Sequence, residues 1–123
     1  MFEAYSLDTT VASQTAIPLN NVTISKGCAI KQSAPATIQL NKCGVYEVSC
    51  NAAGAEAITV QLYKDGVAQP QAQSTGTTAC FTTFVQVDHN NSDCCCASPT
   101  ILQVMNMGAE ATLDINVCVN KIR

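Results

Sequence analysis

Tryptophan is absent from this sequence, histidine occurs once, and charged side chains make up only 12% of the 123 residues. Globular chains usually carry about 25% charge, so much of this surface must be built from Thr, Ser, Asn, Gln and Ala. Six Lys and Arg stand against nine Asp and Glu, for a net charge of −3. No basic stripe is available to neutralise a run of phosphates, which excludes nucleic acid as a partner class. Three Tyr and three Phe are too sparse for a platform that stacks bases or sugars. The start, MFEAYSLDTT, has no basic segment followed by an apolar run, and nowhere do 18 apolar residues follow one another. A signal peptide and a membrane-spanning helix are therefore not expected, and synthesis and folding in the cytoplasm are.

Cysteine, by contrast, is abundant, at positions 28, 43, 50, 80, 94, 95, 96 and 118. In a reducing compartment these are expected to be free thiols that serve mostly as small core hydrophobes. Cys50 fits that role, because it alternates in phase with Tyr46, Val48 and Ala52 along one face of a strand.

Helical periodicity is missing over any useful length, whereas alternation with period two runs along most of the chain. The sequence predicts an all-β fold of about eight to ten short strands. Ile17, Leu19, Val22 and Ile24 lie at strand spacing, with Pro18 restricted to an edge or a bulge. Ile38 and Leu40 form a further run before Gly44, and Tyr46 to Ala52 the next. The alanines from Ala52 to Ala57 are interrupted by Gly54, and a turn is expected there. After Ile58, Val60 and Leu62 comes Asp65-Gly66, a dipeptide suited to the positive φ angles of a two-residue hairpin. Phe81, Val85 and Val87 share one face, with Phe84 on the other. Leu102, Val104 and Met105 read as apolar on both faces. Leu113, Ile115, Val117 and Val119 point inward, opposite Thr112, Asp114, Asn116, Cys118 and Asn120. One domain over 12–123, preceded by an arm over 1–11 that carries Phe2, Tyr5 and Leu7 and is a candidate anchor to a larger assembly, accounts for the whole length.

Periodicity alone does not separate a barrel, a sandwich and a jelly roll. The run IQLNKCGVYEVSCNAAGAEAITVQLYKDGVAQ resembles the first half of bacterial and phage domains of the C1q/TNF-like superfamily. There an apolar strand leads to a Gly-x-Tyr-x-Val strand, here Gly44 to Val48, then to a strand ending in a polar-Gly turn, here Val60 to Gly66. GAEATLDINVCVNKIR is similar to that family's closing strands. The resemblance implies a jelly-roll β-sandwich of antiparallel strands that assembles as a homotrimer, with one sheet of each subunit facing the threefold axis. The chain departs from many members in having no Gly-X-Y stalk. Stand-alone members of this kind are similar to capsid decoration proteins and head fibres of tailed phages, which implies a virion structural protein bound to a major capsid protein or another virion protein. A spore-surface or cell-surface attachment trimer, including a glycan-binding one, is the alternative.

Chemistry that would overturn a non-enzymatic reading is sparse. His89 precedes Cys94, Cys95 and Cys96 by five to seven residues, and His89, Cys94 and Cys96 are candidate zinc ligands. None of the recognised paired-cysteine spacings is present, so a polar loop with its thiols tucked under a neighbouring strand or subunit is the preferred reading, and no metal or cofactor is expected. Cys-His catalysis lacks a Gly-rich or helix-terminal oxyanion site. Asp114 and Glu47 read as solvated carboxylates, and phosphate-cradling loops are absent.

Overall fold

The computed structural model describes residues 1–87 and 95–123, without the side chains of residues 95–98. Among the described residues every regular element is a strand. These are β1 (Phe2–Val11), β2 (Thr15–Ala16), β3 (Asn21–Ser25), β4 (Ile30–Ala34), β5 (Thr37–Lys42), β6 (Gly44–Lys64), β7 (Val67–Val87), β8 (Cys95–Asn106) and β9 (Ala111–Lys121). Neighbouring strands pair antiparallel throughout.

The hairpin between β6 and β7 sets the architecture. Asp65 and Gly66 adopt φ values of 51° and 79°, and Lys64 pairs with Val67 across them, as a two-residue type I′ turn requires. The Asp65 carboxylate accepts the Ile101 N–H at 2.9 Å, and its own N–H donates to the Ile101 carbonyl at 2.8 Å. The hairpin tip is thereby tied to β8.

From that turn β6 and β7 run side by side for almost their whole length, from Lys64↔Val67 to Gly44↔Val87. Residues 46–54 of β6 pair with β9 on the other side, whereas residues 60–64 pair with β8. The ribbon therefore passes from one sheet into a second. The first sheet has the order β3-β1-β9-β6-β7 and the second β4-β5-β8-β6-β7, with β2 added to β8. The turn expected over Ala52 to Ala57 does not reverse the chain. It is a register shift between Ala53 and Ile58, because β7 continues alongside and holds both halves of β6 in one strand.

Inward side chains from both sheets form one core. The first sheet contributes Phe2, Tyr46, Val48, Cys50, Phe81, Val85 and the Leu113 to Val119 series; the second contributes Ile38, Leu40, Ile58, Val60, Leu62, Leu102 and Val104. Alternation had marked most of these. Ile17 and Leu19 are also buried, but on an irregular connection rather than a strand, and Val22 is exposed. The expected arm over residues 1–11 is instead β1, paired with β3 on one side and β9 on the other, with Phe2, Ala4, Ser6 and Val11 buried. Those residues are part of the jelly roll.

Three polar contacts pin the corners. The buried Asn106 side chain donates to the carbonyls of Val11 and Ala109, each at 3.0 Å, and accepts the Gly108 N–H at 3.1 Å, binding the end of β1 to the β8–β9 turn. Tyr46 donates its hydroxyl to the Lys42 carbonyl at 2.6 Å and so closes the β5–β6 corner. Gly44, with φ 142°, leaves no room for a Cβ, which would collide with the Arg123 carbonyl oxygen.

Replacing Asn106 by Ala is expected to cost about 3 kcal/mol, because buried carbonyls lose their donors. The check is a lower urea midpoint with an unchanged slope. Deleting residues 2–11 removes a paired inner strand and should abolish the cooperative unfolding transition; a deletion variant that still unfolds cooperatively at the parent's midpoint would restore the arm.

Candidate self-association face

The outward face of the first sheet is built from small neutral side chains set in rows by the strand register. Glu3, Cys118, Ser49 and Thr82 form one row across β1, β9, β6 and β7, and Tyr5, Asn116, Asn51 and Cys80 form the next. Beyond these, Asp114, Ala53 and Thr78 align toward one end, and Asn120, Glu47 and Phe84 toward the other. No Lys or Arg stands in these rows. Ser49 and Thr82 share a hydroxyl hydrogen bond of 3.2 Å across the strands, so the face satisfies part of its polarity internally.

A β-bulge shapes one side of it. The register of β1 against β9 slips between Ser6 and Thr9, and Asp8 takes a left-handed φ of 48° while its N–H donates to Asp114 Oδ1 at 2.7 Å. The bulge switches the inward positions from even to odd numbers, from Ser6 to Val11. Leu7 is left 62% exposed. Together with Tyr5 it walls a hollow of about 350 Å³ floored by Asn51, Ala53, Asp114 and Asn116. On the opposite margin Phe84 is 57% exposed. Two large apolar side chains at opposite margins of a face that carries no cation are what a surface covered by another chain would present.

The carboxylate of Glu3 is held by neighbours on this face. Thr23 donates to Glu3 Oε1 at 2.7 Å and the Cys118 thiol to Oε2 at 3.1 Å. The Thr23 bond first, then those from Cys118 and Asn116, lower the Glu3 pKa below its ordinary 4.5. Desolvation, reinforced by Glu3, pushes the Cys118 thiol up to about 11. Cys50, buried among core side chains, is pushed up to about 12, chiefly by desolvation and secondarily by Cys80.

Of the candidate zinc ligands, His89 and Cys94 lie outside the described residues, as does the side chain of Cys96. Among the described residues no group of three or more His, Cys, Asp or Glu is placed to hold a metal ion. Cys28, Cys50, Cys80 and Cys118 are free thiols, but Cys43 is disulfide-bonded, a departure from the expectation of free thiols in a reducing compartment. Val48 and Val117 are fully buried in the core; the outward face is carried by their neighbours Glu47, Ser49, Asn116 and Cys118. The pairing of Glu3 with Cys118 joins residues at opposite ends of the chain, and only the β1–β9 register brings them together.

A folded-state pKa below 4.5 means that Glu3 contributes stability above that pH and loses the contribution as pH falls through the lowered value. The variant Glu3→Gln should therefore show a shallower acid-unfolding profile than the parent as pH falls below 4.5, measured by circular dichroism. In native protein at pH 8, alkylation followed by mass spectrometry should modify the exposed Cys28 well before Cys50 and Cys118, which stay protonated. Equal labelling of Cys28 and Cys118 would contradict the geometry of the Glu3 contact.

No protein-family model matches the sequence, and no curated protein matches it. Solved structures do match over nearly the whole chain. The globular domain of zebrafish complement 1qA superposes with a TM-score of 0.75 at 10% identity, covering 99% of this chain and 96% of that one. The PRD1 vertex protein P5 does so with a TM-score of 0.68 at 14% identity, again covering 99% and 96%. Murine APRIL gives 0.62 at 7% identity over 94% of this chain and 97% of its own. The chain has the jelly-roll fold shared by C1q and TNF-like proteins.

Proposed function

We propose that the chain is a non-enzymatic virion structural protein, a homotrimer that decorates a phage capsid or forms its head fibre. The observation that carries this reading is the outward face of the first sheet, free of cations and rimmed by Leu7 and Phe84, on a fold shared with a vertex protein. Copies arranged around a threefold axis would bury that face, because closed cyclic symmetry satisfies the same interface in every chain. Synthesis in the host cytoplasm and residence on the virion surface complete the proposal.

A second surface, with Lys31 at its β4 margin, then remains for the lattice. On the outside of the second sheet lie Thr37 and Gln39 of β5, Ile101, Gln103 and Met105 of β8, Thr59, Gln61 and Tyr63 of β6, and Gln73 and Thr75 of β7, all outside the core. Amides and hydroxyls can exchange hydrogen bonds with another protein without the desolvation cost of charges. Three such faces on one rigid body combine modest contacts through effective concentration. This surface replaces residues 1–11 as the attachment candidate, since those residues are engaged in β1.

Light scattering is expected to give about 39 kDa, three times the 12.9 kDa chain. Within the trimer Cys80 should alkylate more slowly than Cys28, although both are exposed in the single chain. A lysine in place of Gln61 should leave the mass unchanged and abolish co-sedimentation with capsids encoded by the same genome. Absence of capsid binding by the unmodified trimer would move the assignment to a surface-attachment module.

A further inference from the structure

Charge is sorted along the strands. All six Lys and Arg lie at the end of the molecule that holds the Asp65-Gly66 turn and the β5–β6 corner. Lys26 donates its N–H to the Met1 carbonyl at 3.1 Å, beside the start of β1. Lys31 is level with Ile101 through Gln39, and Ile101 is bonded to the turn. Lys42 sits at the Tyr46 corner, Lys121 pairs with Tyr46, and the Arg123 carbonyl accepts the Val45 N–H. Lys64 joins the two sheets at this end by donating to the Gln86 carbonyl at 2.8 Å.

The opposite end, about 30 Å away along β6, has none of these cations. There Asn106 binds the end of β1 to the β8–β9 turn, and β6 crosses from one sheet to the other between Ala53 and Ile58. Asp8, Glu56, Glu110 and Asp114 surround that end, all exposed. Asp8 and Asp114 line one hollow with Gly54, Ala55 and Thr112, Glu56 stands in the crossing and Glu110 in the turn. Of the other carboxylates, Glu47 and Asp65 share the cationic end and Glu3 lies between the two; Asp88 and Asp93 lie outside the described residues. Neither set is neutralised within the described chain. No Lys or Arg reaches an Asp or Glu side chain there, and the carboxylates of Asp8, Glu56 and Glu110 accept no hydrogen bond.

Opposite charge at opposite ends repels a copy that approaches like end to like end and attracts one that approaches in line. A second copy matches both ends at once, whereas an anionic partner would match only one. We propose that trimers stack head to tail along the strand direction, with the Asp8, Glu56 and Glu110 end of one seated on the Lys26, Lys31 and Arg123 end of the next. This stacking rests on the trimeric reading above and selects the fibre within it, because a contact between unlike ends that does not close on itself repeats as a filament. Exposed ion pairs are individually weak and screened by salt. Three copies of the contact on one rigid body act together.

Ionic strength tests the stacking in the full-length protein. At neutral pH in about 1 M NaCl, where the Debye length is roughly 3 Å, light scattering should give the trimeric mass; in about 10 mM NaCl, where it is roughly 30 Å, the mass should rise several-fold. Electron microscopy of the low-salt sample should show filaments one trimer wide. The net charge of −3 would by itself hold copies apart at low salt, so growth on dilution of the salt reports the separation of charge between the ends. Glu56→Lys combined with Glu110→Lys should keep the trimeric mass at both salt concentrations, and Lys26→Glu combined with Lys31→Glu should do the same from the other end. An unmodified trimer whose mass is equal at both salt concentrations, or double variants that grow as the parent does, would overturn the stacking while the trimer stands. A high-salt mass of one or two chains would overturn the trimeric reading and the threefold stack with it.

Discussion

The continuous pairing of β6 with β7 is the contact on which the rest of the molecule depends. One two-residue turn, Asp65-Gly66, sets the register of a ribbon that supplies two strands to each sheet. Because side chains alternate with a period of two, a slip of one residue in that ribbon would turn its core positions outward in both sheets together. The Asp65 bonds to Ile101 secure the turn against β8, and the collision that any Cβ at Gly44 would make with the Arg123 carbonyl limits the other end to glycine. The expense of the arrangement is long-range pairing, since β1 and β9 come from opposite ends of the chain and must meet before the first sheet exists. A large loop-closure entropy precedes that reward, so slow folding relative to helical domains of this size is expected.

The same topology explains where the unusual composition goes. Both outward faces are filled with hydroxyls, amides and small apolar groups, and the cations lie away from the rows of the first sheet. A monomer gains nothing evident from such faces. Placing a carboxylate or ammonium ion in a protein contact requires its desolvation, and a surface made of Thr, Asn and Gln avoids most of that penalty. The exceptions are informative: Glu3 is held by Thr23 and Cys118, and Asp114 accepts the Asp8 amide, so two of the three carboxylates on the first face already have partners inside the chain.

Most of the core was legible in the sequence because alternation is a local signal. The Tyr46 to Ala52 and Leu113 to Val119 series are buried as their spacing indicates, and Asp65-Gly66 forms the expected turn. What escaped were features determined by non-local pairing. Phe2 and Ala4 alternate as cleanly as any strand, yet nothing local reveals that β9 lies beside them, and the β1 bulge at Asp8 reverses the pattern midway. The Ala52 to Ala57 stretch has the composition of a turn, but β7 carries both halves of β6 across it. Within the proposed face, Leu7 and Phe84 were visible as apolar residues; that they occupy opposite margins of one surface follows only from the strand order.

Amide hydrogen exchange on the unmodified protein, followed by mass spectrometry at high concentration and after dilution to the point of dissociation, addresses the central claim that the first sheet is covered by other copies. The account predicts that peptides from residues 78–87 exchange much faster on dilution, while those from β4 on the far edge of the second sheet do not change. Exchange along 78–87 that is independent of concentration, in a sample whose mass shows dissociation, would contradict it.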